Sequence, residues 1–421
     1  MSKLEELIQQ YCPDGVEWKT YYDVCDLIRG ITYNKSQEAK TETEDAHKVL
    51  RANNITLYLN ALNFDDVKLV SKDVVVKPEQ HLYAGDILMC AGSGSKEHVG
   101  KVAYIFQDMD YTFGGFMAVV RCKKTIFSRY MFHILASHFF TSHLETQINS
   151  STINNINRQV MQSFVFPVPP LPVQEEIVRI LDTFTELQAE LQAELQKRKQ
   201  QYNYYLDNLL SFNDINRGGQ AEVRWMKMNE VFEIRNGYTP SKAKKEFWEG
   251  GTIPWFRMED IRQNGRILSD SILHITPKGV KGKGLFKANS FILATTATIG
   301  EHALIIADSL ANQRFTNLSI RKSLENELSV KYVYYYFFVI DEWCKANTNV
   351  SNFASVDMSK FYNLLIPIPS IAEQQRIVSI LDRFDRLTND LNAGLPAEIE
   401  KRRQQYEYYR DKLLTFKRKG A

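Results

Sequence analysis

Apolar residues recur every three or four positions along two long stretches of the chain. In the first, Ile177, Ile180, Phe184, Leu187 and Leu191 step in this way, advance by four to Leu195, and resume through Tyr202, Tyr205, Leu209 and Phe212. In the second the positions are Ile377, Ile380, Phe384, Leu387, Leu391, Leu395, Ile399, Tyr406, Tyr409, Leu413 and Phe416. That spacing gathers the side chains into one stripe of a helix, the pattern of a coiled-coil seam. Proline-rich punctuation precedes each stretch, PVPPLP from Pro167 and PIPS from Pro367, as expected at a helix start. The pattern predicts two long amphipathic helices of one period, suited to pairing with each other. A shorter amphipathic helix is predicted over KLEELIQQY, with Leu4, Leu7, Ile8 and Tyr11 on one side.

The two stretches are copies. Gln174, Ile177, Val178, Ile180, Leu181, Asp182, Phe184 and Leu187 all recur at a constant offset of 200. Farther on, KRKQQYNYYLDNLLSF (Lys197 to Phe212) returns as KRRQQYEYYRDKLLTF (Lys401 to Phe416), identical at 11 of 16 positions and offset by 204. The four-residue change falls where the first copy carries QAEL twice, at Gln188–Leu191 and Gln192–Leu195, and the second carries NAGLPAEIE. Gly394 and Pro396 are expected to break or kink the second helix, with Pro396 tolerated only in a first turn. The first copy has no such breaker. One extra four-residue unit lengthens an ideal helix by about 6 Å and rotates its face by only about 40°.

The segments ahead of each helix also correspond, with Trp18 on Trp225, Val24 on Val231, Gly30 on Gly237, and LRANNI (from Leu50) on FRMEDI (from Phe256). Each holds short apolar runs divided by turn residues, then a helical stretch, SRYMFHILASHFF or VKYVYYYFFVIDEW. They predict two mixed α/β domains of about 150 residues on one plan. The expected boundaries are 1–12 (helix), 13–166 (first domain), 167–213 (central helix), 214–366 (second domain) and 367–421 (second helical region). The N-terminal helix is expected to take the place that the tail of the central helix takes ahead of the second domain, as in a circularly arranged repeat with pseudo-two-fold symmetry.

A net charge of +2 over 421 residues does not announce a polyanion-binding protein, so such contacts would have to come from local clusters. The five cysteines are scattered and never in CxxC, which predicts reduced thiols rather than a disulfide frame or a zinc site. The most apolar run, YVYYYFFVI, is too short to span a bilayer, and the expected compartment is the cytoplasm. GSGSKEHVGKV (Gly92 to Val102) has the wrong glycine spacing for a phosphate loop and reads as a turn. His133, His138 and His143 recur every five residues and cannot share one helix face, so no metal site is expected.

Two dissimilar globular regions alternating with two similar long helices resemble the specificity subunit of Type I restriction-modification enzymes. PPLPVQEEIVRILD, IPSIAEQQRIVSILD and the endings QQYNYYLDNLLSF and GLPAEIEKRRQQYEYYRDKLLTF carry the resemblance, which covers Met1 to Phe416. It implies an α+β fold in which two target-recognition domains are separated by two long antiparallel coiled-coil helices. Each domain would read one half of a bipartite site in double-stranded DNA. The helices would space the domains and dock two methyltransferase subunits, joined for restriction by motor-nuclease subunits. S-adenosylmethionine, ATP and magnesium would belong to those partners, leaving this chain non-catalytic and without a cofactor or metal.

Arginine with guanine and Asn or Gln with adenine are common base pairings. The aligned loops accordingly nominate Arg29, Asn34, Lys35 and Arg51 in the first domain. In the second they nominate Arg235, Asn236, Tyr238, Lys242, Arg257, Asn312, Gln313 and Arg314. Lys123, Lys124, Lys244 and Lys245 are candidates for phosphate contact. The seam residues, including the tyrosine pairs, are candidates for helix pairing or partner docking. Two other readings stay open to the residues alone: a coiled-coil scaffold that does not read DNA, and a stand-alone DNA-modifying enzyme.

Overall fold

The computed structural model describes residues 2–39, 46–57, 59–147, 154–212, 223–349, 354–390 and 393–420. Two compact units divide the chain: Met1–Glu194 with Leu395–Ala421, and Leu195–Gly394. Each unit thus joins one globular domain to half of the central helix and to one helix of the second helical region.

In the first unit the buried strand Ile87–Cys90 pairs antiparallel with Val102–Tyr104 on one side and Met117–Cys122 on the other, and the last pairs with Cys25–Arg29. A second sheet sets Ala46–Leu50 between antiparallel Lys68–Ser71 and parallel Thr112–Phe113. Glu17–Thr20 pairs with Val165–Val168, which puts Trp18 opposite Pro167.

The second unit repeats this plan strand for strand. Phe232–Asn236, Phe315–Ile320, Ser290–Ala294 and His302–Ile305 form the main sheet, extended by Ile267–Leu268 at its edge. Ile253–Phe256 lies between antiparallel His274–Ile275 and parallel Leu310–Ala311. Arg224–Lys227 pairs with Leu365–Ile368, and Trp225 faces Pro367. All five cysteines are free thiols.

The central helix runs unbroken over Leu171–Ser211, 41 residues and about 62 Å at about 1.5 Å per residue. Its repeat is divided into Ile371–Asn389 and Leu395–Leu413. Gly394 sits at the break, where a Cβ would lie 2.5 Å from the Arg386 carbonyl and 2.7 Å from that of Leu387, so only glycine closes this turn. Pro396 falls in the first turn of the new helix, and Leu391 lies outside the described residues. In the second unit Phe212, at the end of the central helix, packs near Tyr332, whose hydroxyl donates to Pro367 O just ahead of Ile371–Asn389; Tyr202 and Tyr205 meet Phe384 farther along. The helices there run antiparallel. In the first unit Val16 bonds Lys417 beyond the last helix, beside the strand pair that leads into the central helix, while Phe184 meets Tyr409, giving the same antiparallel sense.

The most buried row is offset from the expected seam, whose Phe184, Tyr202, Tyr205, Phe384 and Tyr409 still meet across the helices. Gln174, Leu181, Gln188, Leu195 and Tyr202, spaced by seven, form that row, with Ile177 beside them. Ile180, Phe184, Leu187 and Leu191 are half-buried flanks; at the tail, Leu206 and Leu210 are buried where Leu209 is half-buried and Tyr205 exposed. The second copy buries Gln374, Ile377, Leu381 and Thr388, with Ile380 and Phe384 half-buried and Leu387 exposed, then Tyr406 and Leu414 with Leu413 half-buried. Counting apolar residues alone misplaced the row because four of its members are Gln or Thr. The expectation for the N-terminal helix is also corrected. The tail of the last helix abuts the start of the first domain, where Val16 N donates to Lys417 O and Lys419 N to Val16 O, each at 2.9 Å. Helix Lys3–Tyr11, closed by a Ser2–Glu5 capping box, instead buries Leu4 and joins Lys3 to Glu176 of the central helix at 2.9 Å.

Candidate functional site

Each repeated helix begins in a clasp that its own domain makes. The buried Gln174 side chain accepts from Phe127 N at 2.9 Å and donates to Pro169 O at 2.6 Å. Gln374 accepts from Ser329 N at 2.8 Å and donates to Pro369 O and Glu327 O, both at 2.8 Å. Two turns on, Asp182 binds Arg129 at 2.8 Å and His133 at 3.0 Å; Asp382 binds Lys331 at 3.1 Å and the Tyr335 hydroxyl. Burial drives the His133 pKa down to about 4, so the ring is neutral, with its other nitrogen bonded to the Tyr406 hydroxyl at 2.9 Å. Burial pushes the Asp182 carboxyl up, yet the His133 hydrogen bond and the Arg129 charge hold it below its ordinary value. The repeated Gln and Asp are therefore docking residues.

Three segments converge at one end of each domain. In the first unit the strand Cys25–Arg29 ends at Gly30, where a Cβ would lie 2.2 Å from Gly114 O, and Ile31 N donates to Phe113 O at 2.8 Å. Gly114 N in turn donates to Leu50 O at 3.0 Å, beside Arg51. The second unit repeats each contact. A Cβ on Gly237 would lie 2.2 Å from Asn312 O, Tyr238 N donates to Ala311 O at 2.9 Å, and Asn312 N donates to Phe256 O at 3.0 Å, beside Arg257. Arg51 and Arg257 begin capped turns, their backbone N–H groups held by Asn54 at 2.8 Å and Asp260 at 2.7 Å.

The nominated residues divide on inspection. Three have their polar tips engaged inside their own unit. Arg29 donates to Ile156 O and to Asn155, and Arg235 to Gly284 O and Leu285 O while lying 5.1 Å over the Phe286 ring. The Tyr238 hydroxyl donates to Gly279 O and accepts from Lys281 N. All three stand at or just past strand ends, where neighbouring loop carbonyls are within reach. Arg51 is half-buried against Asp66 at 2.8 Å, and Arg257 lies 3.8 Å from Glu259. Asn236 accepts from Thr316, Gln313 from Thr239, and the Asn312 side chain from Arg314 N. Asn34, Lys35 and Arg314 are exposed on the converging segments and Lys242 on a nearby loop, whereas Lys124, also exposed, lies past Cys122 at the opposite end of the strand Met117–Cys122. Lys244 lies 5.2 Å over Phe247, Lys245 pairs with Glu249 at 3.4 Å, and Lys123 Nζ donates to Tyr22 O at 2.6 Å.

A model of the family described as "Type I restriction modification DNA specificity domain" matches residues 13–198 and again 221–401. The chain belongs to this family. It is 54% identical over 204 residues to the Type I restriction enzyme EcoprrI specificity subunit of Escherichia coli, a match covering 47% of this chain and 51% of that one. It is 43% identical over 260 residues to the EcoR124I/EcoR124II specificity subunit of Escherichia coli, covering 59% and 61%. The matched part of the chain thus spans between half and two thirds of these two relatives. Among solved structures, one described as the complex assembly and conformational transition of the type I R-M system aligns over 96% of this chain and 98% of its own, with a TM-score of 0.61. At 17% identity that likeness concerns the fold.

Both matches to the specificity domain contain the clasp and the three converging segments. They also contain one exposed residue that loop reasoning passed over. Phe116 follows Gly114 and Gly115 and is 66% exposed; the double glycine flanked by apolar strands was its signal. On the helices, Tyr204 and Tyr408 are exposed at 65% and 62%, while their neighbours Tyr205 and Tyr409 stack on Phe384 and Phe184 with ring centroids 5.1 and 5.5 Å apart. Lys101, in the glycine-rich segment, buries its amine against the carbonyls of Ala52 and Ile55 at 2.8 and 2.7 Å. His133, His138 and His143 point to separate partners, and no metal-holding group of three His, Cys, Asp or Glu occurs among the described residues. Among those residues no helix is long and apolar enough to cross a membrane.

Proposed function

We propose that this chain is the DNA-specificity subunit of a Type I restriction-modification complex, each globular domain reading one half of a bipartite duplex site. The observation that carries the reading is that both halves match the same specificity-domain family and end in the same three converging segments with different side chains. A repeated frame with unlike tips suits two half-sites of unlike sequence. Asn34, Lys35 and Arg51 in one domain, and Arg257 and Asn312 to Arg314 in the other, stand where such contacts would be made. The paired helices would dock two methyltransferase subunits on their repeated faces, with Tyr204 and Tyr408 as equivalent exposed anchors, and motor-nuclease subunits would join for restriction. On this reading the chain itself is non-catalytic and works in the cytoplasm. Adenine-N6 methylation with S-adenosylmethionine, and ATP- and magnesium-dependent cleavage, would be the partners' chemistry.

The test is to assemble the chain with its methyltransferase partner and map methylated adenines on DNA by single-molecule sequencing. The reading expects one asymmetric, bipartite site. A purified chain that methylates or cuts DNA alone, or a complex that marks no defined site, overturns it.

A further inference from the structure

The third converging segment is a tight turn in both units, and its third residue is held in the same backbone socket. Met117 N donates to Gly114 O at 2.7 Å, and Phe315 N to Asn312 O at 3.1 Å. The carbonyl of the third residue is then gripped by the end of a buried strand: Phe116 O accepts from Ala91 N and Gly92 N at 2.9 Å each, and Arg314 O from Thr295 N at 3.0 Å. One socket therefore presents a phenyl ring and its counterpart a guanidinium, both exposed. Phe116 belongs to none of the hydrophobic clusters, although its backbone is pinned. A large apolar side chain held in water on a pinned backbone is poorly explained by packing. A Cβ on Gly114 would lie 3.9 Å from Arg51 Cγ, so the stem of Arg51 borders the same turn.

We infer that this turn residue determines specificity at one base pair of each half-site. Phe116 makes an apolar contact with the 5-methyl group of a thymine, and Arg314 donates to O6 and N7 of a guanine. The inference rests on the DNA-reading function proposed above. A phenyl ring offers no hydrogen bond to a base edge, and thymine is the base that presents a methyl group in the major groove; the guanidinium fork matches guanine. Because the backbones are held alike, the two domains would differ at this position by side chain rather than by approach.

The experiment uses the full chain with its methyltransferase partner on its mapped site. Each thymine of the first half-site is replaced in turn by deoxyuridine, which deletes only the methyl group. At one position binding by the unaltered complex should weaken about fourfold, the cost of one buried methyl, and F116A should bind both DNAs alike. F116R should exchange that T:A preference for G:C, and R314A should relax one guanine of the second half-site by about tenfold. Phe116 is exposed, so unchanged melting of F116A serves as the folding control. The inference fails if no deoxyuridine position matters, or if F116A keeps the sensitivity. It also fails if the unaltered complex unstacks bases, read by 2-aminopurine fluorescence, and F116A does not, without methyl dependence, or if F116A weakens subunit assembly while leaving the site unchanged. A complex with no bipartite site at all would overturn the underlying function; a normal site indifferent to position 116 would overturn only this inference.

Discussion

Gln174 and Gln374 sit in a row that ordinarily holds apolar side chains, and both ends of each amide are bonded. Their recurrence was legible in the repeat, whereas the Phe127 and Ser329 amides were not, since those lie on segments distant from the seam, and the return to the Pro169 and Pro369 carbonyls five residues earlier depends on a side-chain direction the sequence does not disclose. Gln174→Leu keeps the volume roughly but leaves a donor and an acceptor without partners, at about 2–4 kcal/mol. Hydrogen exchange should show this loss in Met1–Glu194 and leave the second unit's protection unchanged. His133 carries a second prediction. Its folded pKa, about 4, lies below its unfolded value of about 6.5, so the unfolded chain binds the extra proton between them. The first unit is therefore fully stabilised above about pH 6.5 and loses on the order of 3 kcal/mol as pH falls toward 4. Asp182, with its lowered pKa, acts in a window below the ordinary carboxylate value. His133→Gln should flatten the decline between about pH 6.5 and 4, measured by hydrogen exchange in that unit; an unchanged slope would reject the assignment. Arg29 and Arg235 mark the limit of reading at this scale. Their place beside a loop glycine was legible, but nothing in the sequence discloses which carbonyls stand within reach of their guanidinium groups.

Among elements, the two long helices, the interruption at Gly394 and the shared plan of the two mixed domains followed from periodicity, punctuation and repetition. The row of burial did not, because Gln174, Gln188, Gln374 and Thr388 disguise it. The correction bears on the QAEL tandem. Gln188 and Leu195, one from each unit of the tandem, are both buried members of the heptad row. Deleting Gln192–Leu195 removes about 6 Å of helix and rotates the face beyond it by only about 40°. About 6 Å is close to two base pairs of duplex rise. The deletion should shorten the unspecified spacer of the target by about two base pairs and leave both half-sites as they were. Methylation mapping that returned the original spacer would separate the tandem from any spacing role.

At the scale of the whole chain, the compact units and the sequence segments divide the molecule differently. The sequence runs helix, domain, helix, domain, helix; the structure regroups these so that each domain closes on the start of one repeated helix and the end of the other. The clasp is assembled from both sides. In the first unit Phe127 to His133 belong to the domain, Gln174 and Asp182 to the central helix, and Tyr406 to the last helix. A domain exchanged between related subunits must bring residues that fit this frame, and the two domains of this chain show how much variation it accepts: Arg129 and His133 in one are answered by Lys331 and Tyr335 in the other, around the same aspartate. Replacing Val16 to Phe166 with the corresponding domain of another subunit should therefore fold if the incoming domain supplies a cation and a hydrogen-bonding aromatic at those two positions. It should change only the first half-site in methylation mapping, and a donor lacking both should assemble poorly until they are restored. A change in both half-sites would show that the domains do not read independently.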